Sequence, residues 1–116
     1  MAEPECLFCR IVSRDIAADI VHETETTVAF RDLEPQAPVH VLVIPKQHQS
    51  NAAALVDADP TVLAEVIAAA HAVAVTEGIA ESGYRLVANT GADARQTVFH
   101  AHIHVLGGRT MGWPPG

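Results

Sequence analysis

Aromatic residues are scarce in this chain: three Phe, one Tyr and one Trp among 116 residues. The apolar residues are mostly Ala and Val, so the core has to be built from small side chains. Burial against a second copy of the chain is expected to supplement it. Positive charge is scarce too. Seven Lys and Arg stand against fourteen Asp and Glu, a formal net charge of −7. Nucleic-acid binding relies on Lys and Arg neutralising phosphates, so a nucleic-acid partner is not expected. Any anion must be held locally, by imidazoles, neutral donors or backbone N–H groups. No stretch reaches the ~18–20 consecutive apolar residues of a membrane span. The residues from Met1 to Glu5 have neither the basic region nor the apolar run of a signal peptide. These absences predict a soluble, cytoplasmic protein with no membrane partner. Cysteine is limited to Cys6 and Cys9. A gap that short argues against a long-range disulfide and fits a metal pair or a redox CxxC better.

What is present describes a folded chain, with 49% hydrophobic and 18% charged residues, outside the disordered range. No repeat or linker divides it, so residues 1–116 are expected to form one domain. Cys6 to Arg14 places Leu7, Phe8, Ile11 and Val12 at helical spacing. Ile20–Glu23 and Thr27–Phe30 read as strands joined by a hairpin loop. Asp32 to Pro38 is a loop, and His40–Ile44 a buried strand stopped by Pro45. The clearest helix runs from an Asp59 cap and Pro60 to Gly78, with Val62, Leu63, Val66, Ile67, Ala70, Val73 and Ala74 as its apolar stripe. Tyr84–Asn89 and Val98–Leu106 complete the strands. Strands on either side of one long helix, without regular βαβ alternation, predict an α+β domain. It would combine a mainly antiparallel five-stranded sheet, one long helix and a short N-terminal helix.

The strongest chemical feature is His100-Ala101-His102-Ile103-His104. In a strand, residues at i, i+2 and i+4 share a face, so three imidazoles line one side of the sheet. Seven histidines give little chance of three alternating on one strand by accident. Histidine can act as nucleophile, acid or base, and two or three on one strand can also hold zinc. Spacing alone favours the metal. The neighbours shift the balance, because Asn89, Gln96 and Thr97 bring amide and hydroxyl donors that suit phosphate oxygens. Without the histidine row, Asn89 and Thr97 read as ordinary loop polarity.

The segment His100 to Leu106 resembles the HφHφHφφ signature of the histidine-triad (HIT) superfamily. The resemblance covers nearly the whole chain. Phe30-Arg31-Asp32-Leu33 leads into Pro35-Gln36-Ala37-Pro38, and Val43-Ile44-Pro45-Lys46 precedes His48. Leu106-Gly107-Gly108-Arg109 runs on to Trp113-Pro114-Pro115-Gly116. The Trp-Pro-Pro-Gly tail and the short length are similar to the Hint branch, and set the chain apart from dinucleoside-polyphosphate hydrolases.

The resemblance implies a HIT-like fold and a homodimer. It also implies a hydrolase of purine nucleoside 5′-phosphoramidates and aminoacyl adenylates, which needs no catalytic cofactor. In that scheme His102 attacks the α-phosphorus, His104 donates to a phosphate oxygen and His100 orients the site. Asn89 and Thr97 bind the phosphate or leaving group, and Asp32 accepts from the ribose hydroxyls. Phe8, Ile11, Phe30 and Leu33 hold the purine, and Trp113 is a specificity element reaching a partner's site. Read without the resemblance, Asp32 is a turn or cap aspartate, and Phe8, Phe30 and Leu33 are ordinary core. The resemblance also implies a structural zinc on Cys6, Cys9, His48 and His100, a closed set of two thiolates and two imidazoles. Two positions depart from the family pattern: Thr97 stands where Ser is frequent, and Ala94-Arg95 where Gly-Gly is frequent.

Overall fold

The computed structural model describes Glu3 and residues 5–116. Two helices that sequence patterning points to are in place. Helix α1, Leu7–Val12, starts at Cys6, whose thiol accepts a hydrogen bond from the Cys9 N–H. Helix α3, Pro60–Thr76, starts at Asp59, whose carboxylate accepts from the Val62 N–H. Such a cap contributes about 1 kcal/mol. Gly78, at φ +78°, turns the chain out of α3 in a conformation that an L side chain adopts only with strain.

The strands are β1 (Ile20–Glu23), β2 (Thr27–Arg31), β3 (Val39–Pro45), β4 (Tyr84–Val87) and β5 (Ile103–Gly107). They form one antiparallel sheet in the order β1-β2-β3-β5-β4. The expected α+β class with a five-stranded antiparallel sheet therefore holds. Alternation along the strands gives the sheet two different faces. Ala29, Val41, Val43, Ile103 and Val105 pack under Val66, Ala70 and Val73 of α3. On the opposite face, Val28, Phe30, Leu42 and Ile44 meet Phe8 and Ile11 of α1. The second face is only partly covered, because α1 is short, and the histidine row lies on it.

Several details differ from the expectation, among them the strand expected over Tyr84–Asn89, which ends at Val87. A further helix, α2 (Ala52–Ala58), precedes α3; it buries only Leu55, too little for an apolar period to show. The strand expected from Val98 begins at Ile103. The ladder with β3 ends at the Val43–Ile103 pair. The next partner for Ala101 would be Pro45, which has no N–H to give, and the Ala101 N–H goes instead to the Gln49 carbonyl. Strand β3 runs through Pro45, which pairs with Thr27 on its other side. Finally, Ile67 of the expected α3 stripe is 42% exposed, and Ala69 takes a place in the core. Among the described residues no helix is long and apolar enough to cross a membrane.

Candidate active site

The three histidines of the row stand in three different environments. His100 is wholly buried (0% exposed). Its Nε2–H donates to the Pro45 carbonyl at 2.8 Å, which leaves Nδ1 as a lone pair. That lone pair lies 3.4 Å from Cys6 Sγ, 3.5 Å from Cys9 Sγ and 3.2 Å from His48 Nδ1. Cys9 Sγ lies 3.3 Å from His48 Nδ1. Burial holds His100 at a pKa of about 4, with His48 and His102 pushing it the same way, so the ring is neutral. Burial also raises the Cys9 thiol, so a thiolate there calls for a cation beside it. Four soft or borderline donors aimed at one point, with a carbonyl setting the tautomer from behind, are what a closed tetrahedral metal site requires. The four residues Cys6, Cys9, His48 and His100 form a cluster that could hold a metal and is compatible with zinc. Of the row, His100 joins this cluster, while His104 belongs to a second group, with Asp32 and His40, that could also hold a metal.

His102 is held by its other nitrogen. Its Nδ1–H donates to the His100 carbonyl at 2.7 Å. In the neutral ring this leaves Nε2 unprotonated, with no hydrogen-bond partner among the described residues. Phe8 stands edge-on to both rings, at 5.2 Å from His102 and 5.9 Å from His100.

His104 lies 5.1 Å from His102 between ring centres. Its Nδ1 is 2.9 Å from Nε2 of His40. Burial lowers its pKa to about 4, and His102 and His40 add to the effect, while Asp32 opposes it. His40 did not stand out in the sequence. It is buried on β3 and shares the face of Leu42 and Ile44. The signal that could have found it is a polar residue inside an apolar strand, since a buried imidazole has to be partnered.

Beside the row lies an apolar cavity of about 290 Å³, lined by Phe8, Ile11, Phe30, Leu42, Asp32 and Leu33 among others. Five of these six were singled out from the sequence; Leu42, which pairs across from His104, was not. Phe8 and Phe30 meet edge to face at 5.4 Å. Leu33 is 96% exposed, at the rim of the cavity instead of in a packed wall. Asp32 accepts the Glu34 N–H through Oδ1, and its Oδ2 lies 3.5 Å from His40 Nε2. Val87 pairs with His104, the last pair of that ladder, and Asn89 lies two residues beyond it. Thr97 lines a different hollow, with Cys6, His48 and Phe99. Trp113 is 82% exposed and lies against Arg85, whose guanidinium carbon is 5.9 Å from the ring centre. It does not reach the cavity of its own chain.

An antiparallel sheet sets a row of differently held imidazoles beside an apolar pocket whose lining also includes Asp19, Asp32 and Glu34. Comparison with known proteins names the group. A HIT domain profile matches residues 13–111. An uncharacterized HIT-like protein of Synechococcus elongatus is 48% identical over 112 residues, 97% of each chain. Two solved structures superpose with a TM-score of 0.92. One is a HIT family hydrolase from Clostridium thermocellum, 45% identical over 96% of both chains. The other is a HIT family hydrolase from Legionella pneumophila, 46% identical over 97% of this chain and 100% of that one. The chain belongs to the HIT domain family, and the solved structures it resembles support a hydrolase kind.

Proposed function

We propose that this protein hydrolyses purine nucleoside 5′-phosphoramidates, including aminoacyl adenylates among related substrates, through a nucleotide bound covalently to His102. The observation that carries this reading is the tautomer of His102. Its Nδ1–H is held by the His100 carbonyl at 2.7 Å, so Nε2 of the neutral ring keeps its lone pair, and Phe8, 5.2 Å from that ring, lines the cavity. In the first step Nε2 attacks the α-phosphorus and an N–P bond forms. The P–N bond of the substrate breaks, and the amine leaves after taking up a proton. In the second step water attacks phosphorus, the His102–phosphorus bond breaks, and the nucleoside monophosphate is released. Dividing the hydrolysis in this way replaces one difficult displacement by two easier ones.

The other residues fit roles around that step. Phe8, Ile11 and Phe30 offer apolar contact to a purine, with Leu33 at the rim. Asp32 can only accept, which suits two vicinal ribose hydroxyls. Asn89 and Thr97 would serve the phosphate and the leaving group. Cys6, Cys9, His48 and His100 would hold a structural zinc that ties α1 to the end of the histidine row. The exposed Ile67 and Val75 of α3, with Leu86 on the edge strand β4, support a homodimer, in which Trp113 would approach the partner's site. Reduced cysteines at the zinc site fit the cytoplasm.

The test is turnover of adenosine and guanosine 5′-phosphoramidates beside a diadenosine polyphosphate, with acid quench and mass spectrometry of the protein. The expected result is phosphoramidate turnover and a histidine carrying AMP. AMP binding without turnover would point to a regulatory nucleotide-binding dimer. Preferential cleavage of the diadenosine compound would move the protein to the polyphosphate hydrolases.

A further inference from the structure

We propose that Cys6 and Cys9 are an oxidation-sensitive pair, which hydrogen peroxide joins in an intramolecular disulfide that frees any metal from the cluster and loosens α1 beside the apolar cavity. The sulfur chemistry stands on the geometry of the pair alone. Its effect on nucleotide binding rests on the reading of the cavity given above.

The cluster is open on one side. Cys9 and His100 are buried, but Cys6 and His48 are only half-buried. Both line a hollow of about 420 Å³ that also carries the exposed carboxylates of Glu3 and Glu5. A closed site would shield both sulfurs; here a small molecule meets the Cys6 sulfur without unfolding the chain. The carboxylates stand at the entrance in a chain of net charge −7. They repel anionic oxidants and leave an uncharged peroxide unaffected.

The reacting atoms are already together. The ligand atoms of the four residues all lie within 4.8 Å of one another, and both cysteines are free thiols. In the first step the Cys6 sulfur attacks a peroxide oxygen and the O–O bond breaks. Cys6 becomes a sulfenic acid, and its thiol hydrogen leaves with the other oxygen as water. In the second step the Cys9 sulfur attacks the Cys6 sulfur. The S–S bond forms, the S–O bond breaks, and the hydroxyl leaves with the Cys9 hydrogen as a second water. Two thiols lose two electrons and two hydrogens, and one peroxide is reduced to two waters.

The disulfide and a bound metal exclude one another, because metal binding needs the thiolates that the disulfide removes. Closing the sulfurs to about 2.05 Å also draws them away from His100 and His48, which Cys6 and Cys9 meet at 3.4 and 3.3 Å. It disturbs the Cys6 sulfur that accepts the Cys9 N–H at the start of α1. A helix of six residues depends on such anchors. Leu7 and Phe8 lie between the two cysteines. Leu7 lines both the hollow and the apolar cavity, and Phe8 stands 5.4 Å from Phe30 and 5.2 Å from His102. A change at the sulfurs therefore reaches the cavity wall through the residues they flank.

The experiment treats the full chain, loaded with one equivalent of zinc, with hydrogen peroxide. Peptide masses should show Cys6 linked to Cys9 with two hydrogens lost, and a chromogenic chelator should detect the zinc released in step. Hydrogen exchange of the Leu7–Val12 amides should quicken at least about tenfold, and AMP affinity by calorimetry should fall about tenfold. Dithiothreitol with zinc should restore both. In Cys9→Ser the reaction should stop at a Cys6 sulfenic acid, captured by dimedone; if that variant does not fold, the wild-type peptide masses decide. A wild type that never binds AMP would overturn the nucleotide reading, while masses, zinc and exchange still decide the switch. Oxidation confined to methionine, disulfides between chains, or zinc retained beside the new disulfide would each overturn the proposal. So would α1 exchange, or measurable AMP affinity, that stays unchanged once the disulfide has formed.

Discussion

His100 and His102 are the same residue two positions apart, yet their rings present opposite nitrogens. His100 gives Nε2–H to Pro45 and turns Nδ1 toward two sulfurs; His102 gives Nδ1–H to the His100 carbonyl and keeps Nε2 open. Nothing intrinsic to imidazole separates them. The nearest carbonyl decides which nitrogen keeps a lone pair, and the surroundings decide what that lone pair meets. At the buried end it meets thiols, which suits a metal; at His102 it has no hydrogen-bond partner among the described residues, which leaves it available to an electrophile. Under the proposed function, one row of histidines would serve structure at one end and chemistry at the other.

The sharpest way to break this division is to remove the open lone pair. His102→Ala is expected to lower turnover at least about a thousandfold, while the protein still folds and binds AMP by calorimetry, since the cavity of Phe8 and Phe30 is untouched. Wild-type turnover in this variant would sink the histidine nucleophile.

The buried end should answer to a different measurement. Freshly purified protein is expected to contain one zinc per chain by elemental analysis. Cys6→Ser or Cys9→Ser should lose it and lower the Tm by about 10 °C or more. Activity should decline under chelation only as the α1 segment loosens. Zinc-free protein of undiminished stability would make both cysteines plain thiols and remove the contrast between the two ends.

A smaller effect belongs to the cavity. Asp32→Asn keeps an acceptor for the Glu34 amide but loses the charge. It should raise KM for ribonucleotide substrates about tenfold and leave 2′-deoxy substrates nearly unaffected. An equal rise for both would place Asp32 in the turn alone.

The mildest effect concerns pH. His104 in the folded protein titrates near 4, depressed by burial, against an ordinary value of about 6.5. Between those values the unfolded chain binds more protons. The stability held in the neutral ring is therefore complete above about pH 6.5 and lost as pH falls toward 4. Urea midpoints should fall from pH 7.5 to pH 5, and fall less in His104→Gln. Identical pH dependence in the two proteins would count against a buried neutral His104.

Most of the architecture was legible because it is local. The apolar runs of β2 and β3 and the capped run from Asp59 to Gly78 are local patterns, and each became the element expected. The end of β5 was not legible, because it depends on a distant residue, Pro45, having no N–H for Ala101. Helix α2 was missed because Asn51 and Leu55 alone anchor it. In the site, Cys6, Cys9, His48 and His100 converge, and so do Phe8, Ile11, Phe30 and Asp32 around the cavity. His40 escaped notice although a polar residue inside an apolar strand marks it, because its partner His104 comes from a distant part of the chain. Trp113 and Thr97 lie apart from the cavity within a single chain, so their expected roles depend on what a second chain or a bound substrate brings to them.

Pro45 has a further consequence for anyone transplanting this site. Because it cannot donate, the sheet frays where the histidine row begins, and the freed stretch from His100 to His102 can direct its carbonyls and rings individually. Its own carbonyl then selects the face that His100 shows to the sulfurs. A continuous strand would hold the backbone of all three histidines in one repeating ladder. Grafting the histidines onto an unbroken strand would copy the motif and lose the asymmetry, so the interruption has to be transplanted with them.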